Sequence, residues 1–199
     1  MNESLTARSL GAGEMVCRSR EPASSLYVVV SGRVQIFRTS WNDRRFVVAT
    51  LGPGSMFGEE SVLGGSQTFS YAVALERCTL WVFPTNQAME ISATNAMFGF
   101  GLMQAMGQRL EETEHRLELV AFGSVASRLA ALLLELSGGD PEGAVRATHQ
   151  QLADMLGTWR ETISKTLRVF RQRGLVASGR RRLILLDKKG LELEAGGLS

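Results

Sequence analysis

From Leu5 to Pro84 the apolar residues come in short runs of alternating or β-branched character, broken by glycine and polar pairs. The segment "SSLYVVVSGRVQIFRTS" holds two such runs meeting at Ser31-Gly32, a pattern that predicts a hairpin. "RRFVVATLGPG" predicts a further strand that ends in a Gly-Pro-Gly turn. "FSYAVALERCTLWVFP" predicts strands on either side of the polar break Glu76-Arg77, with Pro84 closing the run. Residues 5–92 therefore read as β, and several short, closely spaced strands predict a small sandwich or barrel.

The period then lengthens. From about Asn95 to Val120, Met103, Met106, Leu110, Thr113, Leu117 and Val120 recur at alternating intervals of three and four. That is an a/d seam sustained over more than two heptads. Its flanks carry Gln108, Arg109, Glu111, Glu112, Glu114, His115, Arg116 and Glu118. A helix lying on the β domain would show a wider apolar stripe, so the narrow seam predicts pairing with a second copy of the chain. Thr113, the polar member of the seam, is of the type that fixes register. "SVASRLAALLLELSGGD" predicts another helix from about Ser124 to Leu136, with Val125, Leu129, Leu132, Leu133 and Leu136 on its apolar face and Gly138-Gly139 as its stop.

Residues 148–173, "THQQLADMLGTWRETISKTLRVFRQR", predict two helices in quick succession. Thr148 is placed to cap the first, through about Leu156, and Gly157 to make the turn. Thr158 is placed to cap the second, through about Gln172, with Thr158-Trp-Arg-Glu161 as a capping box. Small Ala153 lets the two helices approach, and Ile163 falls beneath the second: together a helix-turn-helix. At 100° per residue Trp159, Ile163, Leu167 and Phe170 share one side of the second helix. Glu161, Lys165, Arg168 and Gln172 share the other, flanked by Arg160 and Ser164. A polar outer face is commonly only solvated. This one is mostly basic and follows a turn of the right length, which suits base reading: Arg to guanine O6/N7, an acid to cytosine N4. "GLVASGRRRLILLDKKG" then predicts a hairpin of Val176–Gly179 and Leu183–Leu186 with Arg180, Arg181 and Arg182 at its tip. Three adjacent arginines on a turn behind a helix-turn-helix suit phosphate or minor-groove contact.

Charge sharpens this picture. The whole chain of 199 residues carries a net +2, yet residues 1–123 hold 10 arginines against 12 acids, and residues 146–189 hold 11 bases against 3 acids. The basic C-terminal part reads as a polyanion-binding unit attached to something else. Cys17 and Cys78 make neither a disulfide framework nor a metal knuckle and read as two reduced thiols. His115 and His149 are too few and too distant for a metal site. No nucleophile–base pair or convincing phosphate loop marks an enzyme. No run of about 18 apolar residues predicts a membrane span, and the N-terminal residues lack the apolar core of a signal peptide. The expectation is a cytoplasmic protein that is not an enzyme and has no cofactor.

The order of a β-roll, a seam helix and a winged helix-turn-helix bearing "GTWRETISKTLRVFRQRGLV" resembles the CRP/FNR family of bacterial transcription regulators, essentially over the whole chain. The resemblance implies an α+β fold. It comprises an N-terminal antiparallel, jelly-roll-like β-roll at residues 1–94, a long dimerisation helix at 95–122 and a C-terminal winged helix-turn-helix at 123–199. It implies that Arg160, Glu161 and Lys165 read bases. It gives Thr148, His149, Gln150, Arg168 and Arg180–Arg182 to the DNA backbone. The family's activator is also the standard example of helix-turn-helix docking and DNA bending. In "FGEESVLGGSQTFSYA", Gly58 and Glu59 match the pair that meets the ribose of a cyclic nucleotide in this family, and Thr113 matches a residue that meets its adenine. The phosphate-binding Arg that family members carry ten residues after the Glu is here Phe69, followed by Ser70. An unpaired phosphate brought into a half-buried pocket is strongly disfavoured, so independence from cyclic AMP is expected, with Phe69 filling the ligand's space. Two distant cysteines exclude a Cys₄ iron–sulfur cluster. The resulting expectation is a homodimeric activator that binds a palindromic promoter site and contacts RNA polymerase. The alternative is a regulator gated by a small molecule other than cyclic AMP.

Overall fold

The structure, a computed structural model, describes residues 5–40, 44–138, 140, 143–179 and 182–196. The chain forms two compact units, residues 1–111 and 112–199.

In the first unit the strands are β1 (Thr6–Leu10), β2 (Met15–Cys17), β3 (Ser25–Ser31), β4 (Val34–Thr39), β5 (Arg45–Leu51), β6 (Met56–Phe57), β7 (Tyr71–Ala74) and β8 (Cys78–Pro84). They make two four-stranded antiparallel sheets, β1-β8-β3-β6 and β2-β7-β4-β5. Leu10, Val29, Val34, Ile36, Ala72, Ala74 and Leu80 form the core, supplied by both sheets. The predicted antiparallel roll is thus present, but the predicted hairpin at Ser31-Gly32 is not. β3 and β4 leave that turn into different sheets. Gly32 sits at φ 78°, and a Cβ there would lie 2.5 Å from the carbonyl of Arg77. The glycine makes a corner of the roll instead of a strand-pairing turn. The next sequential pair, β4 with β5, does form a hairpin, in the register Val34↔Leu51 to Thr39↔Arg45.

The β reading of residues 85–92 is also corrected. Pro84 ends β8 and caps α1 (Thr85–Thr94), of which only Ala88 is buried. α2 (Ala96–Phe122) runs for 27 residues, as the seam predicts. Leu102 is buried, and Met106 and Phe98 pack with it against Leu26, Phe83 and Ala88, which fastens the start of α2 to the roll.

In the second unit α3 (Val125–Ser137) is capped by the Ser124 side chain, which accepts from the Ser127 amide. Then follow β9 (Ala144–Val145), α4 (His149–Leu156), α5 (Arg160–Gln172), β10 (Val176–Gly179), β11 (Arg182–Leu185) and α6 (Lys188–Ala195). The wing is a three-stranded sheet in the order β10-β11-β9, so β9 adds a strand that the sequence pattern did not predict. α6 is a second such element, opened by Asp187, whose side chain accepts from the Gly190 amide. Leu129, Leu133, Leu152, Ile163, Leu167, Phe170, Leu183 and Leu191 share one core. Each contributes on the order of 1.5–3 kcal/mol by leaving water.

Candidate nucleic-acid interface and roll pocket

The helix-turn-helix is built from α4 and α5. Thr148 caps α4 in a full capping box: its side chain accepts from the Gln151 backbone N–H, and the Gln151 side-chain oxygen accepts from the Thr148 backbone N–H. Gly157 closes the helix at φ 61°, ψ 33°, the left-handed conformation that glycine adopts without a Cβ penalty. Ala153 is fully buried between the helices. The predicted second capping box does not form. Trp159, not Thr158, is the N-cap of α5, and its side chain makes no capping bond. Ile163, Leu167 and Phe170 are buried as expected, but Trp159 is 54% exposed and so leaves the apolar side on which the helical wheel put it. The cause is backbone conformation. Trp159 is extended, at φ −88° and ψ 142°, so a 100° step does not apply to it.

Arg160, Glu161, Lys165 and Arg168 are all exposed along α5. The Nδ1 of His149 lies 2.9 Å from the Ser164 hydroxyl, which ties the first turn of α4 to the polar side of α5. Partial burial, and then the fields of Arg171 and Arg160, hold the His149 imidazole below its ordinary pKa, so it is neutral near pH 7. Gln150 is exposed and donates to Asp154 at 2.7 Å. On the wing, Arg171 of α5 donates to Ser178 of β10 at 2.9 Å, bracing the strand against the helix. Arg182 opens β11, opposite Gly179. Arg180 and Arg181 lie outside the described residues.

The roll pocket differs from expectation in one respect that matters. Phe69 is 63% exposed and does not fill the roll. It falls one residue before Ser70 and two before β7, in step with Tyr71 and Val73, whereas Ala72 and Ala74 are the buried set. The two-residue alternation of the strand turns it outward. Gly58 stands at φ 83° and opens the 3-10 turn Glu59–Ser61, where the Ser61 hydroxyl donates back to the Gly58 carbonyl at 2.8 Å. Glu59 is engaged. Arg109 of α2 pairs with its carboxylate and also donates to the Met56 carbonyl at 2.7 Å. Met56, Glu59, Leu102, Ala105, Met106 and Arg109 line the crevice there. Burial pushes the neighbouring Glu60 carboxyl up. Arg38 of β4 donates to the Ser70 hydroxyl at 3.3 Å, so a guanidinium reaches this end of the roll from a strand that the cassette motif does not include. Thr113 is exposed on α2. Sequence reasoning missed Arg38 and Arg109 as site residues; both act over separations of 32 and 50 residues, beyond any local pattern.

The predicted seam of α2 divides, within one chain, between the roll and solvent. Met106 turns into the roll, whereas Met103 is 64% and Leu110 61% exposed, as Phe100 is. Leu117 is exposed too, and the side chain of Val120 lies outside those described. Burial pushes the Cys17 thiol up to about 11, far from the range of a reactive thiolate. Among the described residues no group of His, Cys, Asp or Glu could hold a metal ion, and no helix is long and apolar enough to cross a membrane.

A jelly roll, a long helix and a winged helix-turn-helix with a basic, solvent-facing second helix define a DNA-binding transcription regulator. Residues 7–95 match the cyclic nucleotide-binding domain family, and residues 127–194 match the Crp-like helix-turn-helix domain. The chain is 31% identical over 189 residues to the cyclic AMP receptor protein of Thermus thermophilus, covering 94% of this chain and 87% of the relative. It is 28% identical to a CRP-like cAMP-activated global transcriptional regulator of Mycobacterium tuberculosis, over 92% of this chain and 85% of that one. Among solved structures, a CRP/FNR-family transcriptional regulator from Thermus thermophilus superposes with a TM-score of 0.84 at 29% identity, covering 98% of this chain and all of the other. The chain belongs to the CRP/FNR family of transcription regulators, and is a DNA-binding regulator and not an enzyme.

Proposed function

We propose that the protein is a homodimeric activator that reads a palindromic promoter site without cyclic AMP. The observation that carries DNA reading is the split of α5. Arg160, Glu161, Lys165 and Arg168 are exposed, directly over the buried row Ile163, Leu167 and Phe170. Such a helix enters a major groove with its N-terminal residues toward the base edges, and two copies span half-sites about one helical turn (roughly 34 Å) apart. Arg160, Glu161 and Lys165 read bases. Thr148, His149, Gln150, Arg168 and the wing arginines Arg180–Arg182 hold the phosphates, and the DNA bends toward these basic sides. An acid at position 161 would only repel phosphates unless a cytosine amino group meets it, which argues against sequence-blind compaction of DNA. The exposed row Phe100, Met103 and Leu110 supports pairing through α2. The roll, residues 1–94, then acts as the effector-type domain, 95–122 as the dimer helix and 123–199 as the DNA-binding domain. Activation through contact with RNA polymerase, in the cytoplasm, follows by analogy with the family.

Binding-site selection from a random library, with no added ligand, tests the reading directly. The wild-type protein is expected to return a sharp palindrome. Lys165→Ala is expected to lose about 1–3 kcal/mol of specific affinity and to relax one base position in each half-site. An unchanged selected site would remove Lys165 from the reading set.

Independence from cyclic AMP rests on Phe69 in place of a cation and on Glu59 already paired with Arg109. A nucleotide would have to displace that guanidinium from a partly buried carboxylate. Calorimetry with cyclic AMP is expected to give no binding heat, and a micromolar isotherm would overturn this part of the reading. A second reading, gating by another small molecule, is favoured by the outward Phe69 and by Arg38 at Ser70. DNA affinity that rises on adding a small-molecule cell extract would favour it.

A further inference from the structure

The basic residues of the helix-turn-helix account for attraction to DNA, but not for a large aromatic ring standing in water beside them. Trp159 is 54% exposed at the N-cap of α5, directly ahead of Arg160. Its carbonyl accepts the first bond of the helix, from the Ile163 amide at 3.1 Å, so its backbone is fixed as firmly as the helix itself. The ring is therefore presented from a rigid point. Exposing an indole wastes the transfer free energy that burial would return, and a tryptophan on a rigid support is the residue type most often found to dominate an interface.

We propose that Trp159 is a neutral DNA-backbone anchor, whose ring packs on the deoxyribose–phosphate wall of the major groove beside the bases read by Arg160. The inference rests on the proposal that α5 reads DNA. The place of Trp159 ahead of the helix selects the wall over the bases. Arg160, Ser164, Arg168, Glu161 and Lys165 fan over the arc opposite Ile163, Leu167 and Phe170, and that arc faces the base edges. Trp159 precedes the helix as its N-cap, so it stands at the N-terminal edge of α5 and is not a member of the arc. A ring at a helix's N-terminal edge meets sugars and phosphates, which every sequence presents alike. A neutral ring also displaces no condensed counterions, so its contribution does not vary with salt as an arginine's does.

Trp159→Ala is expected to raise Kd about tenfold on the selected palindrome and on random duplex alike, with the slope of log K against log salt unchanged. Trp159→Phe, which keeps a ring, is expected to recover most of the loss. Lys165→Ala, measured in parallel, is expected to act on the selected site alone. Loss confined to the palindrome, or relaxation of one base position by Trp159→Ala, would make Trp159 a base reader and overturn the proposal. An unchanged Kd with a normal Lys165→Ala effect would overturn it too. If neither substitution has an effect, the reading of α5 as the DNA-reading helix fails with it.

Discussion

In the proposed dimer, replacing Leu110 by Glu is expected to yield a monomer and to lower affinity for a palindromic duplex by about a hundredfold or more, while binding to an isolated half-site is preserved. Leu110 stands 61% exposed on α2, about two turns from exposed Met103. Gly107 lies between Met103 and Leu110, with open space where a Cβ would stand, so a second helix can approach closely there. A carboxylate at 110 would be buried without a partner in that contact. The large effect on DNA comes from linkage of the two reading helices. Once one half-site is engaged, the second binds at an effective concentration near the millimolar range, and a monomer has no such gain. Sedimentation equilibrium and a gel shift on full and half sites would measure both effects. Met106→Ala is the control. Met106 packs, partly buried, with Leu102, Phe83 and Leu26, so its truncation is expected to destabilise the first unit by about 1–2 kcal/mol and leave the dimer intact. A Leu110→Glu protein that remains dimeric would place the interface elsewhere.

That control exposes how far local pattern reaches. The period of α2 was readable because three- and four-residue spacing is a property of the helix itself. Which of two adjacent apolar lines meets the roll and which meets solvent depends on packing, and this is why local spacing places Met106 in the seam without revealing its contact with the roll. The helix-turn-helix was readable almost to the residue, since Thr148, Ala153, Gly157 and Ile163 each satisfy a local steric or hydrogen-bonding demand. Trp159 escaped because a cap residue does not follow the helical wheel. The Ser31-Gly32 corner escaped for a related reason. A glycine turn between two β runs looks the same whether the strands pair with each other or diverge, and the partner of β3 that decides it, β8, begins 47 residues after β3 ends. α1 carries only one buried residue, so the apolar repeat that betrays a helix is nearly missing from it. At the roll pocket the cassette itself was legible, but its electrostatics were not. Arg109 and Arg38 arrive from α2 and β4, and the Glu59 pairing that supports independence from cyclic AMP is a product of the fold.

Gly58→Ala should, with Gly32→Ala, be among the most damaging single-methyl changes in the roll, costing about 3 kcal/mol. Two effects combine. The residue stands at φ 83°, where an L side chain is strained, typically by about 1 kcal/mol or more. The added Cβ would also lie 2.5 Å from the Ser25 carbonyl and 2.9 Å from the Tyr27 ring. Neither neighbour can yield cheaply. Ser25 belongs to β3, inside the β1-β8-β3-β6 sheet, and Tyr27 is stacked on Phe57 at 4.9 Å between ring centres. Overpacking of this kind costs about 1–3 kcal/mol. Gly64 separates the two effects. It has nearly the same backbone, φ 82°, but nothing within 4 Å of its missing Cβ. Gly64→Ala should therefore cost only the strain, about 1 kcal/mol. Hydrogen exchange at the β3 and β8 amides reports the stability of this unit without mixing in the other. Equal losses for the two substitutions would mean that the turn tolerates a methyl against β3, and that Gly58 is required for its φ alone. An excess at Gly58 would establish that the turn carrying Glu59 is seated on β3 with no room for a side chain, which is what holds that carboxylate within reach of Arg109.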